Sequence, residues 1–182
     1  MITVISGTNR PNSRTLHFAR HFRDELAVLS KDKVALLDLA EIDHAFFRPA
    51  MYDSASMPAG LRRLQEQQII GAEKIAIVCP EYNGGYPGAL KTFIDAISVY
   101  RYKENFLAKP VSLIGVSTGR AGNLRGLDQL AQIIQHMGGY LMTKKLPLSR
   151  VDDLLDDSGK VIDENTLASL REQANQLVGI HT

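Results

Sequence analysis

Five short apolar stretches alternate with five stretches of helical period along this chain, and that alternation most restricts its fold. Ile2-Thr3-Val4-Ile5-Ser6 opens the series. Further strands are expected over residues 33–39, 74–79, 111–117 and 140–146. The helices are expected over 16–29, 58–71, a third carrying Leu90, Phe93, Ile94 and Ile97, then 124–137 and 164–178. Strands separated by helices pair in parallel, because a crossover helix returns the chain to the same end of the sheet. Such a sheet is covered on both faces, so its strands read as continuous apolar runs; Lys74-Ile75-Ala76-Ile77-Val78-Cys79 is the clearest. The first helix carries Phe18, Phe22, Leu26 and Leu29 on one stripe, and the last carries Leu167, Leu170, Ala174 and Leu177. The expected class is α/β, a doubly wound parallel sheet with helices on both faces, formed by residues 1–182 as one domain.

Composition narrows the function classes. A chain of 182 residues with a net charge of +1 has no basic stripe for nucleic acid or an anionic membrane. Its apolar runs fall short of the roughly 20 residues that a membrane helix needs. One cysteine, Cys79, cannot form an internal disulfide, and the first residues do not read as a signal peptide; both lead to the expectation of a reducing cytoplasm. Residues 40–57 have no clear period and hold Phe46, Phe47 and Tyr52, as expected of a long functional loop or a contact with a partner.

Ligands of open parallel sheets bind beyond the carboxyl ends of the strands, and three unusual loops fall at such ends. The first is Gly7-Thr8-Asn9-Arg10-Pro11-Asn12-Ser13-Arg14-Thr15. Hydroxyls, two guanidinium groups and the open amides of a helix N-terminus suit a single dianionic phosphate. The loop matches neither G-x-G-x-x-G nor a Walker A sequence, which disfavours a dinucleotide or a Mg-bound triphosphate. The plainer account is that Ser13 or Asn12 only caps the helix. The second loop is Pro80-Glu81-Tyr82-Asn83-Gly84-Gly85-Tyr86-Pro87-Gly88. Amides at 81–84, with the Tyr82 and Asn83 side chains, could serve the edge and one face of a flat heteroaromatic ring; an ordinary turn is the alternative. In the third, Ser117-Thr118-Gly119-Arg120-Ala121-Gly122-Asn123, glycines would permit close approach of a ligand, or the segment simply caps the helix after it.

Together these residues carry a resemblance. Gly7-Thr8-Asn9-Arg10 with Ser13 and Thr15, Pro80-Glu81-Tyr82-Asn83-Gly84 with Pro87-Gly88-Ala89-Leu90-Lys91 and Ile94-Asp95, and Ser117 with Gly119 and Gly122 resemble the NADPH-dependent FMN reductase family. Pro49, Tyr52-Asp53 and Pro58 fall where that family has its loop before the second helix, and Asp156-Asp157-Ser158-Gly159 where it enters the last. The resemblance implies a flavodoxin-like sheet of order 2-1-3-4-5 and an FMN-dependent oxidoreductase that takes hydride from NADPH or NADH and reduces a quinone or similar small acceptor. It implies that Thr8, Arg10, Ser13 and Thr15, with Arg14 beside them, bind the FMN phosphate. Pro80, Glu81, Tyr82, Asn83 and Gly84 would wrap the isoalloxazine, Tyr82 limiting access to one face, while Ser117, Gly119 and Gly122 would close the far side. Asn9, Asn123, Leu124 and the aromatic segment 98–106 depart from the family pattern. The other classes are a non-enzymatic electron carrier of flavodoxin type and a binding or regulatory module that keeps the fold.

Three other constellations compete. His17 and His21, one helical turn apart with Asp24 or Glu25, contain metal-ligand types. Ser117, Asp128 and His136 contain those of a hydrolase triad, without a G-x-S-x-G elbow. Cys79 ends a buried strand beside the second loop and reads as a small buried residue rather than a redox thiol. A homodimer or homotetramer is expected from Phe46, Phe47, Tyr52, Tyr100, Tyr102 and Phe106 if these aromatics are exposed.

Overall fold

Strand β3 (Lys74–Pro80) is buried along its whole length, as its apolar run requires. It pairs in parallel with β1 (Ile2–Ser6) on one side and β4 (Pro110–Val116) on the other, and β2 (Val34–Asp38) lies beyond β1. The computed structural model describes residues 1–43 and 48–180. Its sheet order is β2-β1-β3-β4-β5, with β5 at Tyr140–Leu141, the order expected of a flavodoxin-like fold.

Side chains alternate across the pleat, so each strand feeds two cores. Ile2, Val4, Ala76, Val78, Ile114 and Val116 pack with Phe18, Phe22 and Leu26 of α1 (Arg14–Leu29) and with Leu170, Ala174 and Leu177 of α6 (Glu164–Gly179). On the other face Ile5, Ile75, Ile77, Val111 and Leu113 meet α2 (Ala59–Leu64), α3 (Gly88–Ser98) and α5 (Leu124–His136).

Two elements differ from expectation. The fifth strand is split into β5 (Tyr140–Leu141) and β6 (Leu146–Leu148), which pair with opposite ends of β4. In the gap the fully buried Gln173 of α6 donates to Ser112 Oγ at 3.0 Å and to the Lys144 carbonyl at 3.0 Å, replacing backbone pairing. Pro147, which lacks an N–H, is tolerated within β6 because that strand lies at the sheet edge.

The second helix ends its α register at Leu64 and continues as a π turn, Gln65–Ile70. This buries Gln65, whose amide donates to the carbonyls of Ile97 and Tyr100 (2.8 and 2.7 Å) and to Asn105 Oδ1 (2.7 Å). Asn105 belongs to α4 (Tyr102–Phe106), a one-turn helix inside the segment that departs from the family pattern.

The aromatic residues separate accordingly. Phe106 is core, and Tyr100 packs against the core, donates to Glu66 and lies under the Arg62 guanidinium. Tyr52 and Tyr102 are 69% and 40% exposed, while Phe46 and Phe47 lie outside the described residues. Residues 49–57 form short turns (Pro49–Tyr52 and Ser54–Ser56), with Met51 and Met57 buried.

Candidate functional site

The loops after β1, β3 and β4 border one cleft of about 420 Å³ at the carboxyl ends of the strands, within the range of small-molecule sites. Thr8, Arg10, Ser13, Arg14, Thr15, Pro80, Glu81, Tyr82, Asn83, Gly84, Ser117 and Gly119 all line it. Gly122 does not.

The first loop must cross the start of α3. Gly7 makes this possible, since a Cβ there would lie 2.9 Å from the Val78 carbonyl oxygen and 3.2 Å from Leu90 Cδ2. Ser13 caps α1, its Oγ accepting from the Leu16 amide at 3.2 Å. The capping account is therefore right for that side chain, yet it leaves the amides of Arg14 and Thr15 without an acceptor among the described residues. Those amides, at the positive end of the α1 dipole, suit an anion. The two arginines differ. Arg14 forms an ion pair with Asp152, from the turn Val151–Leu154, whereas Arg10 is exposed and has no ion pair among the described residues.

In the second loop, Asn83 and Gly84 have φ of 52° and 75°. This is the left-handed pair that closes a two-residue hairpin, for which Asn-Gly is the favoured sequence. Tyr82 and Gly85 exchange amide-to-carbonyl bonds at 2.9 and 3.0 Å, and the Glu81 amide donates to the Val116 carbonyl at 2.9 Å. Of the four amides expected to face a ligand, those of Glu81 and Tyr82 are thus occupied. Asn83 and Gly84 retain theirs. The Tyr82 hydroxyl lies 2.7 Å from Thr8 Oγ1, so this side chain bridges the second loop to the first.

In the third loop Ser117 Oγ donates to Glu81 Oε2 at 2.7 Å and accepts from the Gly119 amide at 3.0 Å. This chain of bonds joins the second and third walls of the cleft. Gly122, in the same loop, lies outside the lining of the cleft. With φ of 58° it packs behind the loop, where a Cβ would lie 2.8 Å from Pro147, so its glycine serves the contact with β6.

Asn123 departs from the family pattern and is 1% exposed. Rather than capping α5, its Nδ2 donates to the Cys79 and Pro80 carbonyls, both at 2.9 Å, fixing the start of the second loop. Its backbone is left-handed, φ 64°. Asn123→Gly keeps that conformation and removes the clamp, and should lower stability by about 1–2 kcal/mol in denaturant titration. Asn12, Val116 and Val151 also line the cleft without being singled out as ligand contacts by the sequence. Val151 is brought in by the turn after β6, where the amides of Arg150 and Val151 donate to the Gly119 and Ser117 carbonyls.

The competing constellations do not assemble. No cluster of three metal-ligating side chains occurs among the described residues, and His17 instead packs over Gly159. Asp128 pairs with Lys145, and His136 is exposed at the far end of α5. Cys79 is fully buried, and burial pushes its thiol up to about 12. At pH 8 a disulfide reagent should therefore leave the native thiol unmodified and label one thiol per chain after denaturation.

The model of the NADPH-dependent FMN reductase family matches residues 1–152. The chain is 32% identical to a subunit of an NADH:(hydroxy)cinnamate reductase of Vibrio ruber, covering 96% of this chain and 84% of that one. It is 33% identical to a quinone reductase of Escherichia coli, covering 82% and 78%. In fold it is similar to the flavoenzyme NAD(P)H:(acceptor) oxidoreductase of Paracoccus denitrificans, with a TM-score of 0.74 at 24% identity over 97% of this chain and 94% of that one. The chain belongs to the NADPH-dependent FMN reductase family and is an oxidoreductase that works with FMN and NAD(P)H.

Proposed function

We propose that FMN sits across this cleft with its phosphate in the loop after β1 and its ring edge on the hairpin after β3, and that electrons from NAD(P)H pass to a quinone-like acceptor. One observation carries the placement: the two ends of the cleft differ chemically. One end has the guanidinium of Arg10, without an ion pair among the described residues, the Thr8 hydroxyl and the Arg14 and Thr15 amides; the other has the Asn83 and Gly84 amides on the hairpin turn, and none of these four amides has an acceptor among the described residues. An anion suits the first and a planar group with acceptor atoms along its edge suits the second.

When bound, FMN supplies the hydride and electron chemistry, so no nucleophile or acid–base pair is required of the chain. The residues hold and orient. The Asn83 and Gly84 amides would donate to the ring edge, where donors of this kind favour negative charge. Pro80 and Gly119, which line the cleft, would border the ring, and Ser117, bonded to Glu81, ties the second loop to the third. Glu81 also places a carboxylate in the wall of the cleft. A quinone-like acceptor is favoured by the name of the Escherichia coli relative.

The test is direct. The purified chain should bind FMN saturably, with loss of flavin fluorescence; the complex should bleach anaerobically with NADPH or NADH and recover its colour on addition of benzoquinone. Bleaching only through a separate reductase would favour the electron carrier, and absence of FMN binding would overturn the placement. We further propose a cytoplasmic homo-oligomer. The reducing setting is supported by the single buried cysteine. Self-association is supported by Tyr102, exposed beside the groove between α3 and α5, and a monomeric mass at micromolar concentration would count against it.

A further inference from the structure

The Tyr82 side chain starts on the hairpin assigned above to the ring and ends on the loop assigned to the phosphate. Its hydroxyl lies 2.7 Å from Thr8 Oγ1, and the Arg10 amide donates to the same oxygen at 3.3 Å. Thr8 is 1% exposed, so its hydroxyl has no alternative supply of partners from bulk water. A hydroxyl has one proton and two lone pairs. When both Arg10 N–H and Tyr82 O–H donate to Thr8, the two lone pairs are filled and the Thr8 proton is left to point into the cleft. The reverse orientation, Thr8 donating to Tyr82, would leave the free proton on the tyrosine. An anion beside Thr8 selects the first arrangement, because each bond in the sequence Tyr82 to Thr8 to anion polarises the next.

We propose that Tyr82 is a positioning residue for the FMN phosphate, acting through Thr8, rather than a cover for the flavin ring. The inference rests on the placement of FMN given above. It accounts for a tyrosine at the base of a hairpin whose own closure uses only backbone groups. It also joins the two halves of the cofactor site, since displacement of the hairpin would misdirect the Thr8 proton.

Riboflavin, which lacks the phosphate, separates this role from contact with the ring. Affinities for FMN and for riboflavin should be measured by fluorescence titration of apoprotein for the native chain, Tyr82→Phe, Thr8→Ala and the double variant, each first shown by circular dichroism to melt as the native chain does. Tyr82→Phe should weaken FMN by about three- to tenfold, the loss of one hydrogen bond, and leave riboflavin within about twofold. In the Thr8→Ala background the tyrosine substitution should add less than about twofold, because its effect passes through Thr8. Equal loss for both ligands, or no loss for either, would overturn the proposal. If Thr8→Ala itself leaves the ratio of FMN to riboflavin affinity unchanged, the phosphate assignment fails, an outcome distinct from failure of the tyrosine alone.

Discussion

Arg10→Ala is expected to raise the dissociation constant for FMN by roughly 10- to 150-fold, the equivalent of about 1.5–3 kcal/mol for a hydrogen bond to a charged group. Arg10 is the arginine of the first loop that has no carboxylate partner among the described residues, so its charge is available to a phosphate at no cost in a broken ion pair. Its exposure places the expectation toward the lower end, because water screens a surface charge pair. Raising the salt concentration should therefore narrow the difference between native chain and variant. Arg14 provides the internal comparison. It already pairs with Asp152, and Arg14→Ala should weaken FMN less than Arg10→Ala. Titration of apoprotein with FMN measures both. Unchanged affinity in Arg10→Ala would contradict the phosphate assignment, and equal losses in the two variants would contradict the distinction drawn between the arginines.

That distinction marks where the sequence stops being informative. Arg10 and Arg14 are equivalent in residue type and lie in one loop, and what separates them is a carboxylate near the other end of the chain. Gly119 and Gly122 are likewise equivalent in type. Only the packing of Pro147 reveals that one borders the cleft and the other supports it. The features that were legible depend on neighbours in sequence. The alternation of apolar runs and helical stripes gave the layers, and the Gly- and Pro-rich run 80–88 gave a turn, which the structure resolves as a hairpin closed by the left-handed pair Asn83-Gly84. The π turn at Gln65, the split of the fifth strand and the Asn123 clamp each satisfy a buried polar group on a distant element, so no local pattern signals them. The convergence of the loops was legible for a different reason: the end of the sheet that binds ligands follows from strand order alone.

Gly115→Ala should show how closely the fold and the site are joined. Gly115 lies in β4, paired with Cys79 of β3 and Pro147 of β6, and nothing in its sequence neighbourhood distinguishes it from the other residues of a buried strand. A Cβ at this position would overlap the Gly122 carbonyl oxygen and lie 3.0 and 3.2 Å from Leu127 Cδ1 and Cγ. Leu127 could turn aside, but the Gly122 carbonyl belongs to backbone that is itself wedged against Pro147. Relief of the overlap must displace the loop from Ser117 to Asn123, and with it the serine that holds Glu81 and the asparagine that holds Pro80. Overpacking of this kind should cost about 3 kcal/mol, the upper end for one added methyl group, and lower Tm by roughly 6–12 °C for a chain of this size. FMN affinity should fall as well, because the displaced segment is a wall of the cleft. Gly60→Ala is the matched control: a Cβ there meets nothing within 4 Å, and in α2 the change should raise stability by about 0.5–1 kcal/mol. Thermal melts of the two variants, with FMN titration of each, read both effects. A Gly115→Ala chain that melts with the native protein would show that the loop yields freely, and the third wall would then have to be regarded as adaptable rather than fixed by the sheet.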